Sequence, residues 1–284
     1  MQTLNFFTQM KIKISHFIIF FIISFLQNTI AHARLMVSPQ RVDLDNVNKI
    51  QSVKLVNTTD EEVTYSVSFM YQKMTESGKY EDFTESELQN LSNIEKVVMF
   101  SPKRVILAPK QTQTVRFALR RKEDIKNFEY NAHILFKEIA KKETVMDLNK
   151  RNSDGSIGMK VIPLFNTAIP IKVSDSSGNV KHQAEISAIN LNKETNVVSF
   201  VLTNKGSNSP LGNILLTFLN ANGKKINTVQ VNDMAIPMPL ILRNIDIFYD
   251  DTKFDENIIN NITVEYFSSV EGKPYTISSG SLQK

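Results

Sequence analysis

The sequence predicts an all-β protein built from two immunoglobulin-like β-sandwich domains. Three observations carry that reading. Beyond Ala33 the apolar residues recur with period two rather than 3.6, the pattern of half-buried strands. Turn-forming clusters interrupt these runs every 8–12 residues or so, the rhythm of a sandwich. The chain has 284 residues, which suits one large domain or two of ordinary size.

The front of the chain has a different character. Lys11 and Lys13 precede an apolar run, FIIFFIISFL, and the small-residue box Ala31-His32-Ala33 follows it. A positive start, an apolar centre and an A-x-A box are the parts of a secretory signal peptide. The competing reading is a membrane anchor. Ser15, His16, Ser24, Gln27, Asn28 and Thr29 dilute the uncharged stretch, and its solidly apolar part is about half of the roughly 20 residues a span needs. The expectation is therefore a signal peptide over 1–33, cleaved after Ala33, and a periplasmic product.

The elements follow in order. In Val63-Thr64-Tyr65-Ser66-Val67-Ser68-Phe69 the odd positions are apolar and the even ones polar. Thr84 with Glu87 forms a T-x-x-E capping box before Leu88 and Leu91, which predicts a short helix between strands. Val115, Phe117 and Leu119 alternate with Thr114, Arg116 and Arg120. Residues 140–158 are polar and charged, a long connection of the kind that is functional or disordered. A long β-rich run over 159–173 comes next. The turn cluster over 174–179 then sets the boundary between domains at 34–178 and 179–284. In the second domain Val198, Phe200 and Leu202 alternate, as do Ile214, Leu216 and Phe218, and Asn222-Gly223 suits a tight hairpin. Other turns are marked by Asn57-Thr58-Thr59-Asp60, Ser77-Gly78 and Ala108-Pro109.

Composition removes whole classes of chemistry. There is no Cys and only four His, so thiolate metal sites, disulfides and Cys nucleophiles are excluded. Net charge is +4, too small and too scattered for a nucleic-acid binder. No H-E-x-x-H, G-x-S-x-G, phosphate loop or dinucleotide fingerprint occurs. No carboxylate pair marks a glycosidase. His133 lies within a predicted strand and reads as a half-exposed structural residue. The sequence offers no enzyme and no cofactor.

Four segments in fixed order are informative: Val37-Ser38-Pro39-Gln40-Arg41-Val42; Val53-Lys54-Leu55-Val56-Asn57; the run from Phe100-Ser101-Pro102-Lys103-Arg104 through Ala108-Pro109 to Gln113-Thr114-Val115-Arg116-Phe117; and Tyr130-Asn131-Ala132-His133-Ile134-Leu135-Phe136. Behind a signal peptide, this order resembles the first domain of PapD-like periplasmic chaperones of the chaperone–usher pathway. The resemblance covers residues 34–173. Residues 180–284 fit a second domain in length and β character.

The resemblance implies two immunoglobulin-like domains set at an angle, with a client bound in the cleft between them. It implies a periplasmic chaperone for pilus or fimbrium assembly that caps a subunit lacking its last strand by donating one of its own, donor-strand complementation. The implied partners are a pilus-like subunit, held one to one, and an outer-membrane usher; the broader process is cell wall organization. The donor strand falls in the apolar run, on Val161, Pro163, Phe165, Thr167, Ile169 and Ile171. A donor strand needs alternate side chains that fill the client's groove while its backbone extends the client's sheet. The family anchors the client's C-terminal carboxylate with an Arg and a Lys. Arg41 matches the Arg, and a guanidinium grips a carboxylate with two parallel hydrogen bonds. One alignment puts Pro163 where the Lys belongs. The other looks like the divergent, non-classical branch and leaves Lys160 and Lys172 as candidates. Arg116 and Glu129 match a charged cluster between the domains. The alternative to a chaperone is a structural or adhesive surface protein made of two such modules.

Overall fold

The computed structural model describes residues 34–90, 94–120, 129–140, 163–174, 183–255, 258–270 and 273–283. The expected signal peptide over 1–33, the polar segment 141–158 and most of the 174–179 turn cluster lie outside them. Among the described residues, no helix is long and apolar enough to cross a membrane.

The first domain runs through β1 (Leu35–Ser38), β2 (Val42–Leu44), β3 (Ile50–Asn57), β4 (Val63–Met70), β5 (Gln72–Met74), β6 (Tyr80–Asp82), helix α1 (Glu85–Asn90), β7 (Val98–Ser101), β8 (Arg104–Leu107), β9 (Thr112–Leu119), β10 (Glu129–Ile139) and β11 (Asn166–Ser174). Two sheets, ordered β1-β3-β9-β7 and β2-β11-β10-β4-β8, face each other across one core. The period-two reading is borne out residue by residue. Val63, Tyr65 and Val67 are buried, as are Val115 and Phe117, and all belong to the same cluster as Ile134 and Phe136. Burying each such side chain contributes about 1.5–3 kcal/mol. After β1 the chain crosses to the second sheet. There β2 pairs in parallel with the end of β11, Val42 against Ile171 and Leu44 against Val173.

The capping box forms as expected. Thr84 N donates to Glu87 Oε2 at 2.8 Å, and Glu87 N donates back to Thr84 Oγ1 at 3.4 Å. Lys73 of β5 adds an ion pair to Glu87 at 2.7 Å. Lys73 and the Thr84 hydrogen bonds hold this carboxyl down at about 2.

The second domain comprises β12 (Ala184–Asn192), β13 (Val197–Asn204), β14 (Leu211–Leu219), β15 (Lys225–Ala235), β16 (Leu242–Phe248), β17 (Asn261–Val270) and β18 (Lys273–Gln283). Its sheets are ordered β12-β13-β16 and β15-β14-β17-β18. Val198, Phe200, Leu202, Ile214, Leu216 and Phe218 are all core. The β14–β15 hairpin turns over residues 220–224, longer than a two-residue turn. Asn220 N donates to Lys224 O, and Gly223 N donates to Asn220 O, with Gly223 at φ +72.

One expectation is corrected. The apolar run over 159–173 was expected to be a single long strand. In the described residues β11 spans only Asn166–Ser174, and residues 163–165 precede it outside any strand. Lys160 and Val161 lie outside the described residues.

Candidate functional site in the cleft between the domains

A cavity of about 630 Å³ lies between the two sandwiches. Both domains line it. Arg41, His133 and Lys172 come from the first, and Ser209, Asp233 and Arg243 from the second. Register explains why the first-domain residues share a face. Ile171 and Val173 turn inward, so Lys172 between them turns out. Its neighbour on β2 is Asp43, and its neighbour on β10 is Asn131. Arg41 stands two residues before Asp43 on the same face. Its Nε donates to both Asp43 carboxylate oxygens, at 3.0 and 2.8 Å. This pair is open to solvent on both sides, Arg41 being 27% exposed and Asp43 43%, so it contributes little to stability. Arg41 and Lys172 therefore line one cavity.

Glu129 meets the second domain. Its Oε2 accepts from Ser209 N at 2.7 Å, and its Oε1 accepts from Ser209 Oγ and from Asn131 Nδ2 at 2.6 Å. Asn131 Nδ2 also donates to Met238 O at 3.3 Å. Met238 N in turn donates to Ser209 Oγ at 2.8 Å. Arg116 is not brought to Glu129. It is exposed on β9 in the other sheet, opposite Ser52 and Ser101. Alternation within β9 dictates this, because Val115 and Phe117 on either side occupy the core. Ser209 is the partner that sequence reading missed. It sits in a turn beside Pro210, and nothing local marks it as an interdomain contact.

The donor-strand residues divide. Ile169 and Ile171 are 4% and 1% exposed and belong to the first domain's core. The expectation that their side chains fill a client's groove is not met, because the sandwich itself uses that face. Thr167 is half-buried, whereas Pro163 and Phe165 are exposed, Phe165 by 52%. The outer edge of β11 is paired by β2 only at residues 171–173. Among the described residues, 166–170 have a strand on the β10 side alone. Just before them Phe165 N donates to Glu138 Oε2 at 3.0 Å. Glu138 is buried and pairs with Arg34 at 3.4 Å, and the Arg34 guanidinium lies 5.8 Å from the centre of the Phe165 ring.

His133 was expected to be half-exposed and is 9% exposed. The Tyr80 ring meets it edge-on at 4.8 Å, and burial lowers its pKa.

Two immunoglobulin-like sandwiches with a cleft between them define the class to which the fold belongs. No family model and no curated protein matches the chain. Among solved structures it is similar to the class 5 fimbriae chaperone CfaA, at 13% identity and TM-score 0.47 over 88% of this chain and 98% of that one. It is similar to the E. coli chaperone DraB at 14% identity and TM-score 0.42, over 88% and 95%. It also resembles a chain of the Salmonella enterica SafA pilin–SafB chaperone complex, at 10% identity and TM-score 0.43, over 90% and 99%.

Proposed function

We propose that the chain is a periplasmic chaperone that captures β-rich exported subunits, pilus-like ones above all. It caps them by lending the free edge of β11 as an extra strand. The subunit's C-terminal carboxylate is held by Arg41 and Lys172. One observation carries the reading: the edge over residues 166–170, unpaired among the described residues, leads into the cavity that holds both cations. A free edge is a liability unless it is covered or used, and strand addition is a known way to use one. Asp43 holds Arg41 through Nε, and among the described residues no hydrogen bond engages its Nη groups, which leaves them for a carboxylate.

Recovery of a tagged chain from its own cell envelope tests this. The wild type should come back one to one with a small β-rich subunit, and Arg41→Ala, though folded, should come back alone. Truncating one side of a charged hydrogen-bonded pair costs about 2–5 kcal/mol, at least roughly 30-fold in affinity. If the wild type recovers no such subunit and instead reaches the cell surface, the molecule is an adhesive or structural module. If Arg41→Ala recovers the subunit as well as wild type, the anchor is wrong.

A further inference from the structure

Arg243 is placed oddly for a structural residue. It lies near the start of β16, the end strand of its sheet among the described residues, and lines the interdomain cavity with Arg41 and Lys172. Its Nη1 donates to Ala235 O at 3.1 Å, while its Nε is buried without a hydrogen-bond partner. Among the described residues no carboxylate pairs with it. Burial lowers its pKa, opposed only by Tyr80 and Tyr266. A half-buried guanidinium with no counter-charge is costly.

The first domain nevertheless holds it there. The turn between β5 and β6 reaches across to the second domain, where Asn244 N donates to Glu76 O at 2.8 Å. Gly78 of that turn, at φ +80, lies close against the guanidinium. A Cβ on Gly78 would stand 2.6 Å from Nη2 and 3.0 Å from Nε. Two carboxylates also line the cavity. Glu129 is already occupied by Ser209 and Asn131, which leaves Asp233 as the other acidic residue of a lining that carries Arg243, Lys172 and the Asp43-paired Arg41.

We infer that Arg243 is a third cationic group of the carboxylate-binding cavity, contributed by the second domain and held in place by the β5–β6 turn. This rests on the anchoring role given above to Arg41 and Lys172. Its consequence is that the cavity is complete only when both domains are in register, so binding reads the interdomain arrangement as well as the ligand.

Acetate is the smallest carboxylate probe, and arginine Nε–Hε resonances of the whole protein report on it. Acetate should replace chloride at constant ionic strength, with acetamide as the neutral control. The Arg243 and Arg41 signals should shift together along one saturating curve with acetate and stay still with acetamide. Arg243→Gln should weaken the acetate affinity read at Arg41 about fivefold, and Arg243→Lys should restore part of it. If Arg41 responds while Arg243 stays still, or if Arg243→Gln leaves the affinity at Arg41 unchanged, the inference fails and the Arg41 anchor stands. If Arg243 responds and Arg41 does not, the Arg41 anchor falls and the shared cavity inferred from it falls with it. If neither moves, both fail.

Discussion

Asn57 shows how much one side chain can close. It ends β3 fully buried. Its Nδ2 donates to Glu61 O, Leu107 O and Ala108 O at 2.6, 3.1 and 3.0 Å. Its Oδ1 accepts from Thr59 N at 2.9 Å. Asn57→Ala strips these partners in a dry place, where each unmet polar group costs about 1–3 kcal/mol. The expected loss is about 2–3 kcal/mol, read as a lower urea midpoint at unchanged slope. His133 adds a pH dependence. Burial depresses its folded pKa below 6.5, so the unfolded chain binds the extra proton. The folded state is at its full advantage above that pH and loses it as the pH falls through 6.5 toward the lower folded value. Urea midpoints from pH 8 to 5 should fall less steeply in His133→Gln than in wild type.

Two substitutions on or beside β11 separate core from edge. Ile169→Asp should unfold the first domain, because it puts a charge into the packed interior. Phe165→Asp should leave the melting temperature within a few degrees and impair subunit recovery. Unimpaired recovery in folded Phe165→Asp would rule out a role for that segment in capture. The elements also show what the sequence made legible. Period-two runs such as Val63–Phe69 located strands because a sandwich buries every second residue. The capping box located α1 because its hydrogen bonds are local. The strand over 159–173 was harder. Alternation identifies an apolar face without saying what covers it, and here the home core covers Ile169, Ile171 and Val173. Arg116 was misplaced for a related reason. A motif position carries a role only if the sheet turns it the same way. Ser209 and Arg243 were out of reach, because their importance comes from contacts across domains.

At the scale of the molecule, two small contacts join the sandwiches among the described residues: the Glu129–Ser209–Asn131–Met238 hydrogen bonds and the seat of the β5–β6 turn on β16. The first depends on one carboxylate. Glu129→Ala leaves Ser209 N and Oγ without their acceptor, a loss of about 1–3 kcal/mol from docking rather than from either core. The chain has no Cys, so spin labels can be placed singly at Lys54→Cys and Glu194→Cys. The interdomain distance distribution should broaden in Glu129→Ala while both cores keep their urea midpoints. An unchanged distribution would mean that the β5–β6 turn alone fixes the angle.

The short parallel strand β2 has a consequence for direction. It occupies the outer edge of β11 from Ile171 onward, so any strand added along residues 166–170 must stop where β2 starts. Arg41 stands at that stop. A newcomer running the same way as β11 arrives there with its C-terminus, whose carboxylate meets Arg41 and Lys172. One running the opposite way presents its N-terminal ammonium to the same cations. Under the proposed capture the edge is polarised like a one-way track with a buffer at its end: it would admit strands tail first and fix how far they travel.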